Sequence, residues 1–194
     1  MNKQTLGKIF QIVKKPAAGK LLITVIWLTF LSLLRFRFDF SVLFLWLGGI
    51  FGTFLLEADH LIYLIYLSPQ EPTSIKVREL FNQRRWPEAL ETIIATKNER
   101  QHLIFHSALL QVLFQIFSIF VVTSTASYFG IGMVLAMSLS LLVREINDLL
   151  QKREEALKQW LFWQIKTEVK DQSLRVYVVS MALFFLFLNF LLLR

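Results

Sequence analysis

Residues 40–56 form one apolar run and residues 61–67 another, with only Glu57, Ala58, Asp59 and His60 between them. As an α-helix, the first run alone reaches about 25 Å, against a hydrocarbon core of about 30 Å. Four comparable runs occupy positions 17–34, 103–122, 128–143 and 176–193. With 55% hydrophobic and 14% aromatic residues and a mean hydropathy of +0.54, the chain carries more apolar surface than a soluble domain of 194 residues can bury. The expected fold is all-α: a polytopic membrane helix bundle of about five transmembrane helices, forming one membrane domain over positions 1–194. Positions 73–100 and 144–170 read as cytoplasmic helical segments, the second amphipathic. Its apolar side either packs on the bundle or pairs with a second copy in a homo-oligomer. Trp160, Phe162 and Trp163 suit an aromatic belt at the membrane interface.

The basic residues orient the spans. Lys3, Lys8, Lys14, Lys15 and Lys20 precede or open the first. Lys76, Arg78, Arg84, Arg85, Lys97 and Arg100 lie between the second and third, and Arg144 to Arg175 between the fourth and fifth. Only Arg35, Arg37 and Arg194 fall on the other side. The positive-inside rule therefore predicts a cytoplasmic N-terminus and an outer C-terminus. The first run lacks a small-residue cleavage site and reads as an uncleaved anchor. The net charge of +7 is explained by topology and by attraction to anionic lipid headgroups, so nucleic acid is not expected as a partner. Without cysteine there is no disulfide and no thiolate metal site.

Ionisable groups at membrane depth point to function. At about 1.5 Å per residue, Glu57 and His60 lie roughly 25–30 Å from Phe40, near the cytoplasmic edge. His106 opens the next span at that edge, and Arg144, Glu145 and Asp148 close the fourth at a similar level. On an unbroken helix Glu57 and His60 share a face and Asp59 does not; a local unwinding would bring all three together. Glu57, Asp59, His60 and His106 have the right donors for zinc or manganese. His102, Glu145 or Asp148 is available as a further ligand, and an unliganded Glu57 or Asp59 as general base. The alternative is structural: the carboxylates pair with Arg100 or Arg144, and His60 sits at the headgroups. Gly48, Gly49 and Gly52 in the second span read as close helix packing. No P-loop, dinucleotide fingerprint or serine nucleophile elbow is present.

Leu56-Glu57-Ala58-Asp59-His60 resembles a Pro-Asp-x-Asp-His motif, and Gln101-His102-Leu103-Ile104-Phe105-His106-Ser107 resembles His-Arg-x-x-x-His-Ser. Ser140 and Arg144 take the histidine and aspartate positions of a Ser-His-x-x-x-Asp motif. In order and internal spacing these resemble the bacterial membrane-bound metal-dependent hydrolases, a family that includes LexA-regulated inner-membrane proteins. The resemblance implies a bacterial inner-membrane location and hydrolysis of phosphoester or lipid substrates. Asp59, His60 and His106 match residue by residue, and Glu57 replaces an aspartate. Leu56 stands for the proline, His102 is one residue off register, and the third motif has lost both ligand types. The resemblance therefore implies a degenerate enzyme kept as a membrane scaffold or lipid-binding module, with an active hydrolase as the alternative. Replacing aspartate by Arg144 adds two units of positive charge, the charge of a divalent cation. Arg144 is thus a candidate replacement for the metal, holding Glu57 and Asp59.

Overall fold

The computed structural model describes residues 16–35, 39–97, 100, 102–124, 127–166 and 169–194. The expected basic tail with Lys3, Lys8, Lys14 and Lys15 lies outside them, as do Arg37 and Gln101. Every regular element among the described residues is helical. These are α1 (Pro16–Leu34), α2 (Ser41–Ile62, continued by a π-helical stretch Tyr63–Leu67), α3 (Pro72–Asn82), α4 (Trp86–Ala95), α5 (Ala108–Ser124), α6 (Tyr128–Leu150), α7 (Glu154–Leu161) and α8 (Asp171–Leu193).

Three are long and apolar enough to cross a membrane: α2 with its π-helical continuation, α6 and α8, of 27, 23 and 23 residues. Helices α1 and α5 are apolar but shorter. The interior is mainly apolar, yet it also takes in polar side chains while large apolar ones face outward. Thr24, Ser32, Thr53, Ser118, Ser138 and Asn189 are buried, while Phe44, Leu47, Phe51, Phe117, Leu183 and Phe190 are exposed.

The chain divides into two compact units, and α2, α5, α6 and α8 contribute residues to both. The first comprises positions 1–54, 115–144 and 179–194. Here glycine lets α2 and α6 touch backbone to backbone. A Cβ on Gly48 would fall 1.9 Å from the Phe129 carbonyl oxygen, and one on Gly132 would fall 2.0 Å from that of Leu45. This is the close packing expected from the glycines of the second apolar run. Polar side chains tie the other helices. Trp27 Nε1 donates to Asn189 Oδ1 at 3.0 Å, and Asn189 Nδ2 donates to the Phe185 carbonyl at 2.6 Å. Thr53 donates to the Gly49 carbonyl at 3.0 Å, so its hydroxyl oxygen accepts from Thr24 at 3.3 Å.

The second unit comprises positions 55–114 and 145–178. Tyr63, Leu64, Val77, Ile93 and Leu103 form its apolar core, with Leu61 and Phe81 against it. Tyr63 donates its hydroxyl to Glu71 Oε1 at 2.6 Å. Helix α7 buries Leu157, Trp160 and Leu161 within this unit, so its apolar side packs on its own chain. It is also held to α8 electrostatically. Lys158 Nζ reaches Asp171 Oδ1 at 2.6 Å and Glu155 Oε1 at 2.8 Å, and Arg175 reaches Glu154 Oε1 at 2.8 Å. The hydrogen bond to Asp171, and then that to Glu155, hold the Lys158 ammonium well above the usual lysine pKa.

Two expected helices are shorter than the hydropathy pattern suggests. The helix expected over 144–170 breaks after Leu150. Lys152 adopts a left-handed φ of 55°, its N–H reaches the Leu149 carbonyl at 3.0 Å, and the Arg153 N–H reaches that of Asp148 at 2.9 Å. That pair of bonds is a Schellman termination, which closes a helix whatever its periodicity. Arg84 ends α3 in the same way, with φ 57°. The third apolar run becomes helical only at Ala108, because residues 104–107 form a turn held from α2.

Candidate functional site

The second unit contains a buried polar cluster built around Asp59, which is fully inaccessible to solvent. Helix α2 is unbroken through positions 57–60, and its π-helical stretch begins only at Tyr63. Asp59 Oδ1 accepts the Ile104 N–H at 3.2 Å, and Oδ2 accepts the Phe105 N–H at 2.8 Å. Oδ2 also lies 2.9 Å from His106 Nδ1. With Asp59 as a carboxylate, which only accepts, this contact is a hydrogen bond donated by the Nδ1 tautomer of His106. Asp59 therefore closes the turn that precedes α5. Ser107 caps that helix: its Oγ accepts the Leu110 N–H at 3.4 Å and donates to the Ile104 carbonyl at 2.8 Å.

Around this pair the walls are aromatic and amide. The His60 and His106 rings lie 5.8 Å apart between centroids, and both residues are buried. Trp160 meets His106 nearly edge-on at 6.0 Å. Gln111 Nε2 donates to the His106 carbonyl at 3.0 Å, and Tyr177 donates its hydroxyl to Gln111 Oε1 at 3.0 Å. Glu145 is fully buried in the same unit.

Of the four expected donors, Asp59, His60 and His106 come together, while Glu57 pairs with Lys97. Arg100 is buried and donates to the Ile93 carbonyl at 3.1 Å and to Thr96 Oγ1 at 2.8 Å. Arg144 lies in α6 and belongs to the first unit, whereas Glu57 and Asp59 belong to the second. Of the further candidate ligands, His102 is exposed and packs against Trp163 at 5.2 Å. Asp148 accepts the Trp160 indole N–H at 3.2 Å. The belt expected from Trp160 and Trp163 is thus partly internal: Trp160 is buried, and Trp163 Nε1 donates to the Leu103 carbonyl at 3.2 Å.

As placed, Asp59, His60 and His106 are engaged with one another and with the 104–106 turn. Catalytic zinc takes three protein ligands. Here both Asp59 oxygens serve the 104–106 turn, and Glu57 serves Lys97. Among the described residues no group of three or more histidines and carboxylates is placed to hold a metal ion.

Tyr177 and Trp160 form walls of this cluster that motif reading passed over. Tyr177 sits in a segment legible for hydropathy alone, and Trp160 reads as part of an interfacial aromatic belt. The available signal was the tendency of polar groups within apolar helices to face one another, which links Gln111 with Tyr177. No family model, curated protein or solved structure matches the chain.

Proposed function

We propose that this is a five-span protein of the bacterial inner membrane, N-terminus cytoplasmic, that acts as a non-catalytic scaffold or lipid-binding module. The observation that carries the reading is the use of Asp59. A carboxylate that accepts two backbone N–H groups and contacts an imidazole nitrogen acts as a structural cap for the turn before α5. On this reading, the likeness of positions 56–60 and 101–107 to metal-dependent hydrolases is one of sequence pattern, with the ligand-like positions turned to helix closure. The five-span arrangement is supported by the exposed apolar faces of α2, α5 and α8. Helices α1 and α5, of 19 and 17 residues, reach about 28 and 25 Å, a little short of a core of about 30 Å but within the roughly 17–25 residues that spanning helices have.

Two measurements test it. Elemental analysis of the purified protein should find no stoichiometric zinc or manganese; a metal lost on His106→Ala would overturn the reading. Because the chain has no cysteine, single cysteines report topology cleanly. Cysteine at Gln70 or Lys166 should react with an impermeant maleimide only after permeabilisation, and cysteine at Arg194 should react in intact cells. The opposite pattern would refute the orientation.

A further inference from the structure

Resting on the lipid-binding reading above, we propose that the turn joining α6 to α7 holds the headgroup of an anionic phospholipid, with one acyl chain along the last turns of α6. This turn lies within the second unit. The left-handed φ at Lys152 ends α6, and α7 starts at Glu154, so Lys152 and Arg153 stand side by side outside either helix. Both are exposed.

The carboxylates nearest to them in sequence are engaged by other groups. Asp148 accepts the Trp160 indole N–H, Glu154 pairs with Arg175, and Glu155 pairs with Lys158. Neither the Lys152 nor the Arg153 side chain has a partner among the described residues. Two accessible cations whose neighbouring acids are already paired leave a local positive charge, which a phosphodiester complements. The Arg153 guanidinium adds a planar fork that matches two phosphate oxygens.

An apolar strip leads into the same turn. Leu150 is 78% and Ile146 39% exposed, and at a spacing of four they share one face of α6. At about 1.5 Å per residue, Ile146 lies roughly 27 Å and Leu150 roughly 33 Å along α6 from Tyr128, on either side of the inner edge of a core about 30 Å thick. Acyl chain therefore meets Ile146, glycerol esters meet Leu150, and phosphate lies level with Lys152 and Arg153. Apolar and cationic side chains follow one another in the order in which a phospholipid presents its parts.

The test uses the full chain in detergent micelles, titrated with phosphatidylglycerol or phosphatidylcholine and read by native mass spectrometry. Phosphatidylglycerol should bind more tightly. Lys152→Gln or Arg153→Gln should weaken it about fivefold and the double variant about twentyfold, with phosphatidylcholine unchanged. Lys152→Arg combined with Arg153→Lys should keep the preference. Arg153→Gln leaves the left-handed residue intact, so its result is independent of any effect of position 152 on folding. Lys76→Gln combined with Arg78→Gln removes the same charge from exposed positions of α3 and should leave the preference unchanged. Equal weakening by this α3 pair would mean attraction to net charge alone. That result, an unchanged preference in the double variant at 152 and 153, or displacement of the lipid by inorganic phosphate would each overturn the site. A parent that retains neither lipid would overturn the lipid-binding reading itself.

Discussion

Replacing Asp59 by alanine should destabilise the protein without any change in metal content. The side chain is fully buried and accepts three hydrogen bonds, from Ile104 N–H, Phe105 N–H and His106 Nδ1–H. Alanine would leave those three donors without the carboxylate. Hydrogen bonds to a charged acceptor contribute about 1.5–3 kcal/mol each, and stranding a buried donor costs about 1–3 kcal/mol. Against this stands the relief of burying a carboxylate, worth several kcal/mol. The balance is a loss of roughly 3–5 kcal/mol, comparable with breaking a buried ion pair. At about 2–4 °C per kcal/mol for a chain of this size, Tm should fall by on the order of 10 °C. Asp59→Asn keeps one acceptor oxygen and turns an NH2 toward the remaining donors, so it should fall between the parent and alanine. The assay is thermal unfolding in detergent micelles with and without a chelator, together with amide hydrogen exchange at Ile104 and Phe105. Asp59→Ala should exchange faster at those two amides, and the chelator should change nothing. A melting temperature within 1 °C of the parent, or a chelator effect as large as the mutation, would refute the capping argument.

The glycine contacts separate two kinds of substitution. Gly132→Ala should cost at least about 2 kcal/mol, because its Cβ would meet immovable backbone 2.0 Å away at Leu45. Gly130→Ala, whose Cβ would lie 3.4 Å from the nearest atom, should be neutral or stabilising by up to about 1 kcal/mol; equal melting temperatures would contradict the packing. Lys152→Gly should stabilise by roughly 0.5–1 kcal/mol, since glycine adopts the left-handed φ without penalty, while Lys152→Val should destabilise. Identical melts for the two would mean that this turn does not end α6. The pKa of Lys158 is raised in the folded state, so its stabilising effect is complete below the unfolded value of about 10.4 and is lost as pH rises through the higher folded value. Lys158→Met should therefore flatten the alkaline limb of an unfolding profile, and an unchanged limb would exclude the Asp171 and Glu155 contacts as its cause.

Hydropathy alone locates all five apolar helices, because a run of some 20 apolar side chains has few alternatives to helix. Gly48 and Gly52, four positions apart, likewise announce a close helix contact before any partner is known. Where helices stop is another matter. The ends at Leu150 and at Asn82 depend on Lys152 and Arg84 adopting positive φ, and neither residue type advertises that conformation. The start of α5 depends on a carboxylate 45 positions earlier in the chain.

The same physics divides the site. That Asp59, His60 and His106 would meet was readable from two short motifs and the direction of each span. That Glu57 would leave them for Lys97, and that Asp59 would be occupied by backbone, was not. Residue type specifies which bonds a carboxylate is able to make, and those bonds are the same for a metal, a lysine or a turn of backbone. Only the folded chain decides which donor arrives within 3 Å, and here the donors are the N–H groups and imidazole of the 104–106 turn.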